Sequence, residues 1–227
     1  MWVYIWTDKS YYPTANTLWY WTFDDQNANQ ITDFSWKGNN LTWWTMPSYV
    51  QVSWTNYAGN YANVSSWAVP NKSFWTMNTP MTVLTRVMAT ATGQEYVSYL
   101  WRWTSWDEYQ NALIYWYNSW QFEYFEYKTS QSAKRATIKS WVSLNTWYLI
   151  WYTRSWTSVT TYCNWATWWT TTWYSDTWDK SFYLWCSNVW WSERFKGEIW
   201  ECILENRVWT DTEIQEYYNR TKWAYWL

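Results

Sequence analysis

Residues 186–200 read CSNVWWSERFKGEIW, which places two adjacent tryptophans between runs that look like β-strands. A strand connection needs residues that tolerate φ > 0 or bond to their own backbone; Gly, Asn and Ser do so, and an indole does not. The conflict recurs along the chain. Tryptophan makes up 31 of 227 residues and glycine only 4, where a usual chain carries about 7% glycine. Because glycine gives a chain its tightest reversals, the place and chemistry of the turns limit what this sequence can fold into more than any other feature. Seven tryptophans follow a serine (Trp36, Trp54, Trp67, Trp106, Trp120, Trp141, Trp156), and three doublets occur at Trp43-Trp44, Trp168-Trp169 and Trp190-Trp191. Read with glycine in these places, 35–40 becomes SGKGNN, 162–169 becomes YCNGATGG and 188–201 becomes NVGGSERFKGEIGE. Each is then an ordinary turn between strands. Two readings follow: a gene whose UGA codons specify glycine but are written here as tryptophan, or a chain that uses its many indoles as core and binding surface. Under the first, Trp147 in LNTWYLIWY stays a true tryptophan, because an aromatic suits the start of that strand. Trp209 and one of Trp19 or Trp21 are further candidates.

Strand signals recur at short intervals: TLWYWTF (17–23), YVQV (49–52), MTVLTRVMAT (81–90), EYVSYL (95–100), NALIYWY (111–117) and QFEYFEYK (121–128). KRATIKS, TWYLIWYTR, SVTTYC, KSFYLWC and FKGEIWECILEN follow. About a dozen short strands with turn-rich links and almost no helical period predict an all-β fold, an antiparallel sandwich or jelly roll. Helix is confined to the end. There Thr210 to Glu213 spell a capping box, and Ile214, Tyr217 and Tyr218 give the following turns one apolar face.

Length suits one domain of ordinary core size. A net charge of −2 leaves no basic footprint, so a nucleic-acid partner is not expected. No apolar run of about 18 residues could span a bilayer, and no basic and apolar leader opens the chain. The start MWVYIWTDKSYY resembles neither a signal peptide nor a domain beginning, so the chain is read as a piece of a longer exported protein. Histidine is absent, which removes Ser-His-Asp triads and His-ligated zinc. Cys163, Cys186 and Cys202 form no C-x-x-C pair. Each lies in a strand-like run, either as a small apolar residue or with two of the three in one disulfide. The hexapeptide WRWTSW (101–106) would become GRGTSG under the glycine reading and match a dinucleotide fingerprint. The motif needs a following helix, whereas DEYQNALIYWY reads as turn and strand.

Four stretches in order carry a family resemblance. YWTFDD (20–25) with DFSWKGNNLT (33–42), LNTWYLIWYTR (144–154), VTTYCNWATW (159–168) and FKGEIWECILENRVWTDTEIQEYY (195–218) resemble the laminin G-like group of concanavalin A-like (lectin/glucanase) jelly-roll domains, of the kind repeated in bacterial surface proteins. Trp36, Trp165 and Trp200 stand where that family commonly has Gly, or Asp or Gly at the last. The resemblance implies a concanavalin A-like antiparallel β-sandwich with a short C-terminal helix over 17–222, a lead-in at 1–16 and a tail at 223–227. It further implies a non-catalytic recognition module, extracellular or at the cell surface, that binds glycan or a surface-protein partner, often with calcium. Calcium takes oxygen ligands from several loops, and Asp24, Asp25, Glu198 and Glu201 are the candidates; the plainer reading makes them solvated turn and edge residues. A structural spacer or pilus-associated head domain is the alternative.

The enzymatic rival on this fold is a laminarinase-type glycosidase, which needs two carboxylates about 5–5.5 Å apart. Strand alternation puts Glu201 and Glu205 on one face with Ile203, and Glu198 on the other with Trp200, Cys202 and Leu204. The central acid of the glucanase pattern is missing. Glu123 and Glu126 fall on opposite faces.

Overall fold

The computed structural model describes residues 11, 13–27, 29–41, 47–52, 56–60, 73–74, 80–91, 94–103, 108–116, 120–128, 131–164, 166–172, 180–184 and 195–222. The larger of two antiparallel sheets runs β12 (Ala166–Thr172), β11 (Ser158–Cys163), β10 (Trp147–Ser155), β5 (Met81–Ala89), β14 (Gly197–Glu205), β3 (Tyr57–Asn60) and β2 (Ser48–Gln51), with β1 (Thr17–Thr22) also pairing β14. The smaller runs β4 (Ser73–Phe74), β13 (Lys180–Leu184), β6 (Gln94–Trp103), β7 (Glu108–Trp116), β8 (Gln121–Lys128) and β9 (Gln131–Lys139). A single helix among the described residues, α1 (Asp211–Thr221), closes the chain. This is the expected all-β antiparallel sandwich with its C-terminal helix. Three strands had no sequence signal of their own: β3, β4 and β12.

Period-two alternation builds the core between the sheets. Met81, Val83, Val87 and Ala89 of β5, Tyr148, Ile150 and Tyr152 of β10, and Phe122 and Tyr124 of β8 share one buried cluster with Trp19 and Trp21 of β1. The two indoles stack at 4.9 Å. One ion pair joins the sheets inside this layer: Arg154 of β10 lies 3.0 Å from Glu126 of β8, and the same guanidinium donates to the Tyr124 hydroxyl at 3.2 Å. Burying two charges is costly unless they meet in good geometry, so this pair fixes how the sheets register on each other.

The middle of the outer face of the larger sheet is covered by α1. Tyr20, Leu84, Leu149, Trp151, Tyr162 and Ile203 pack against Trp209, Ile214 and Tyr217. The capping box is formed in both directions, with Thr210 Oγ1 accepting from the Glu213 N–H and the Glu213 carboxylate accepting from the Thr210 N–H. Beneath the start of the helix the buried Glu205 carboxylate accepts from Thr17 Oγ1 at 3.0 Å, Trp209 Nε1 at 2.6 Å and the Tyr11 hydroxyl, and pairs with Arg207 at 2.7 Å. Tyr11 is buried there, stacked on Trp209.

Cys163 and Cys202 are both buried and free. Cys163 is register partner of Ile150, Ile150 of Thr85, and Thr85 of Cys202. Two strands thus stand between them, about 14 Å at the usual strand spacing, and a disulfide spans no more than about 7 Å between Cα atoms. Burial pushes both thiols up to about 12, so they behave as small apolar side chains. Cys186 lies outside the described residues, as do the doublets Trp43-Trp44 and Trp190-Trp191.

Candidate functional site

Two of the predicted carboxylates, Glu198 and Glu201, lie on β14 in an arrangement that strict alternation does not give. The register of β14 against β5 shifts between Ile199 and Glu201. Such a bulge sets two consecutive residues on one side. Ile199 and Cys202 both enter the core, which leaves Trp200 and Glu201 together on the outer face and brings Glu198 there by alternation with Ile199. The expected separation of Glu198 and Trp200 from Glu201 is therefore wrong, and so is the grouping of Trp200 with Cys202 and Leu204. The physical reason is the inserted residue, which hydrophobic pattern alone does not mark.

Asp24 lies just beyond β1. Its carboxylate accepts from the Tyr57 backbone N–H at 2.8 Å, Trp200 Nε1 at 3.3 Å and Thr22 Oγ1 at 3.1 Å. Burial, helped by the nearby Glu201 charge, pushes this carboxyl up to about 6 against the pull of those donors. Glu201 is fully buried, 2.9 Å from Arg86 Nη2, and accepts from the Tyr217 hydroxyl at 2.5 Å. The Arg86 guanidinium in turn lies 4.6 Å over the Trp200 ring. Glu198, opposite Asn60 of β3, has its carboxyl raised by burial. Asp25 is exposed and accepts from Thr32 Oγ1. Asp24 and Glu201 are thus brought together, whereas Asp25 turns to a different partner. Among the described residues no three Cys, Asp or Glu side chains are grouped so as to hold a metal ion. Glu201 and Glu205, the pair a glycosidase would need on one face, are each fully buried and engaged in separate networks beneath α1.

A second polar group stands on the other side of the molecule. Phe122 and Tyr124 of β8 point into the core, so Glu123 and Phe125 lie on the outer face of the smaller sheet. Glu126, facing inward, is consumed by Arg154; the expected opposition of Glu123 and Glu126 is observed. Register pairs Phe125 with Arg135 and Glu123 with Thr137 of β9. Arg135 reaches Glu123 diagonally at 3.0 Å and lays its guanidinium 5.2 Å over the Phe125 ring. Gln121 donates to the same carboxylate. Arg135 is exposed while Glu123 is buried. A planar guanidinium held by stacking and an ion pair presents donors suited to oxygen-rich ligands. The alternation in QFEYFEYK was visible in sequence; Arg135 was not, because only strand pairing sets it beside Phe125.

No family model matches the chain, and no curated protein matches it. Solved structures do. A Trypanosoma rangeli sialidase in complex with sialic acid superposes with a TM-score of 0.65 at 14% identity, over 93% of this chain and 34% of that one. A mutant of the same sialidase displaying trans-sialidase activity gives 0.66 at 15% identity. Domain 4 of AbnA, an extracellular GH43 arabinanase from Geobacillus stearothermophilus, in complex with arabinotriose, gives 0.58 at 14% identity over 89% of this chain and 98% of that domain. These neighbours show the fold, an antiparallel β-sandwich. The chain spans about a third of the sialidases' length. The expectation of a non-catalytic module is corrected by them: this fold occurs within chains that are enzymes, so the fold gives no ground for setting catalysis aside.

Proposed function

We propose that the chain is a glycan-recognition module of laminin G-like type, from an extracellular or surface protein of a bacterium, in which glycine encoded by UGA is written as tryptophan. The observation that carries the glycan reading is the whole-domain likeness to the arabinotriose-bound domain, whose length this chain covers almost completely. The surface assigned to the ligand is the outer face of the smaller sheet at Glu123, Phe125 and Arg135, since α1 covers the middle of the opposite face and Arg135 is held there with its donors exposed. Calcium assistance is proposed at the exposed Asp25, because Arg86 and Tyr217 take up Glu201 and the Tyr57 N–H, Trp200 and Thr22 take up Asp24.

Binding to immobilised arabino-oligosaccharides and sialylated glycans, with and without chelator, tests the reading. Arg135→Ala is expected to weaken glycan binding at least about tenfold, as loss of a charge-assisted hydrogen bond does, without loss of fold. Chelator sensitivity that disappears in Asp25→Asn supports the calcium assignment. Retention of a surface protein with no glycan bound at millimolar concentration replaces the proposal with the spacer or head-domain alternative. Release of reducing sugar from the same oligosaccharides is measured in parallel and decides whether recognition is coupled to hydrolysis.

A further inference from the structure

Four tryptophans have backbones in the left-handed region: Trp36 (φ 64°), Trp120 (φ 49°), Trp141 (φ 55°) and Trp156 (φ 54°). An L-residue with a Cβ is strained there, and a bulky one is an outlier; glycine is at ease and asparagine is tolerated. The other left-handed positions among the described residues follow that rule at Gly38, Asn145 and Asn164, with Gln26 the remaining exception. The same four tryptophans are the large hydrophobic side chains exposed to solvent among the described residues, Trp141 at 81%, Trp36 at 78%, Trp156 at 70% and Trp120 at 39%. At Trp36, Trp141 and Trp156 little burial of the indole offsets the backbone strain, while Trp120 is partly covered. All four follow a serine, and the remaining serine-preceded tryptophans, Trp54, Trp67 and Trp106, lie outside the described residues. Dihedral, exposure and preceding residue are all marks of a surface turn, and they select one set.

The buried tryptophans differ on each count. Trp209 has its ring stacked on Tyr11 and its N–H on Glu205. Trp19, Trp21 and Trp151 lie on regular strands with no exposed surface. We infer that positions 36, 120, 141 and 156 are glycine turns and that glycine is the native residue at all four, whereas Trp209 is native tryptophan. The inference rests on the UGA reading proposed above and sharpens it to named sites. It also bears on where a ligand goes. The Val142 N–H donates to the Trp120 carbonyl at 2.7 Å, which sets the turns that carry Trp120 and Trp141 side by side. With glycine at both, neither turn offers an indole to a ligand.

Two measurements test this. Peptide mass spectrometry of the protein from its native source reads each position directly. Thermal unfolding of the chain as written is then compared with W36G, W120G, W141G, W156G and the quadruple variant, and with W209G as a contrast. Glycine in the four native peptides, tryptophan in the Trp209 peptide, and a rise of the quadruple variant's midpoint by about 10 °C or more against a fall for W209G is the expected result. Tryptophan at any of the four, or a midpoint unchanged or lowered by the quadruple substitution, overturns it. Tryptophan at the four with glycine at 190 and 191 sinks this assignment and leaves recoding standing, while tryptophan in every peptide sinks both.

Discussion

At the scale of single residues, the buried Arg86 and Asp24 make the largest demands. Arg86 is fully buried against Glu201, with Trp200 and Tyr217 at the faces of its guanidinium. Removing one partner of such a pair leaves an uncompensated charge in the interior, so Arg86→Met is expected to cost about 3–5 kcal/mol, and R86M/E201Q together to recover much of it. Urea unfolding of the three chains checks this. Asp24 carries the opposite kind of effect. Its carboxyl is pushed up from 3.8 to about 6, so the folded state holds its proton more tightly than the unfolded chain does. The stability this contributes is full below about pH 4 and is lost as the pH rises through about 6, by on the order of 3 kcal/mol. Asp24→Asn keeps an acceptor for the Tyr57 N–H and is expected to flatten the stability profile over that window. A variant with an unchanged pH slope would assign the effect to other groups.

At the scale of elements, local chemistry and close approach set the limits. The helix starts where Thr210 and Glu213 satisfy each other's backbone groups, and Thr210→Ala is expected to cost about 1 kcal/mol, read as a lowered denaturation midpoint with unchanged slope. Gly197 opens β14 in a place with no room. A Cβ there would stand 2.2 Å from the Met88 carbonyl oxygen and 2.7 Å from the Phe195 ring. Because the first of these is backbone, Gly197→Ala is expected to displace β14 from β5 and cost roughly 2–4 kcal/mol, seen also as faster amide exchange along β14. The helix and eleven of the strands were legible because capping residues, β-branched runs and period-two alternation lie within a few residues of each other in the chain. The short β4 and the Gly- and Asn-bearing β3 have too little pattern to read, and β12 was absorbed into the tryptophan-rich run that follows Asn164.

For the whole molecule, the two outer faces have different fates, and this decides where a ligand can reach. Tyr20, Leu84, Trp151 and Ile203 spend the outer face of the larger sheet on α1, while the smaller sheet presents Arg135 to solvent. Arg154 and Glu126 hold the sheets in register; Glu126→Gln is expected to destabilise by about 3 kcal/mol or more while leaving glycan binding at Arg135 in the surviving folded fraction unchanged, as calorimetry and binding on one sample would show. Sequence by itself determined the all-β class, the order of most strands, the capped terminal helix and the turn character of the four described serine-preceded tryptophans, since each is written in neighbouring residues. It also separated Glu123 from Glu126, because alternation alone does that. Only tertiary structure decided that a bulge turns Glu198, Trp200 and Glu201 to one side, that two strands keep Cys163 from Cys202, and that Arg135 meets Phe125. Those outcomes depend on register between strands distant in sequence, and no local pattern carries the register.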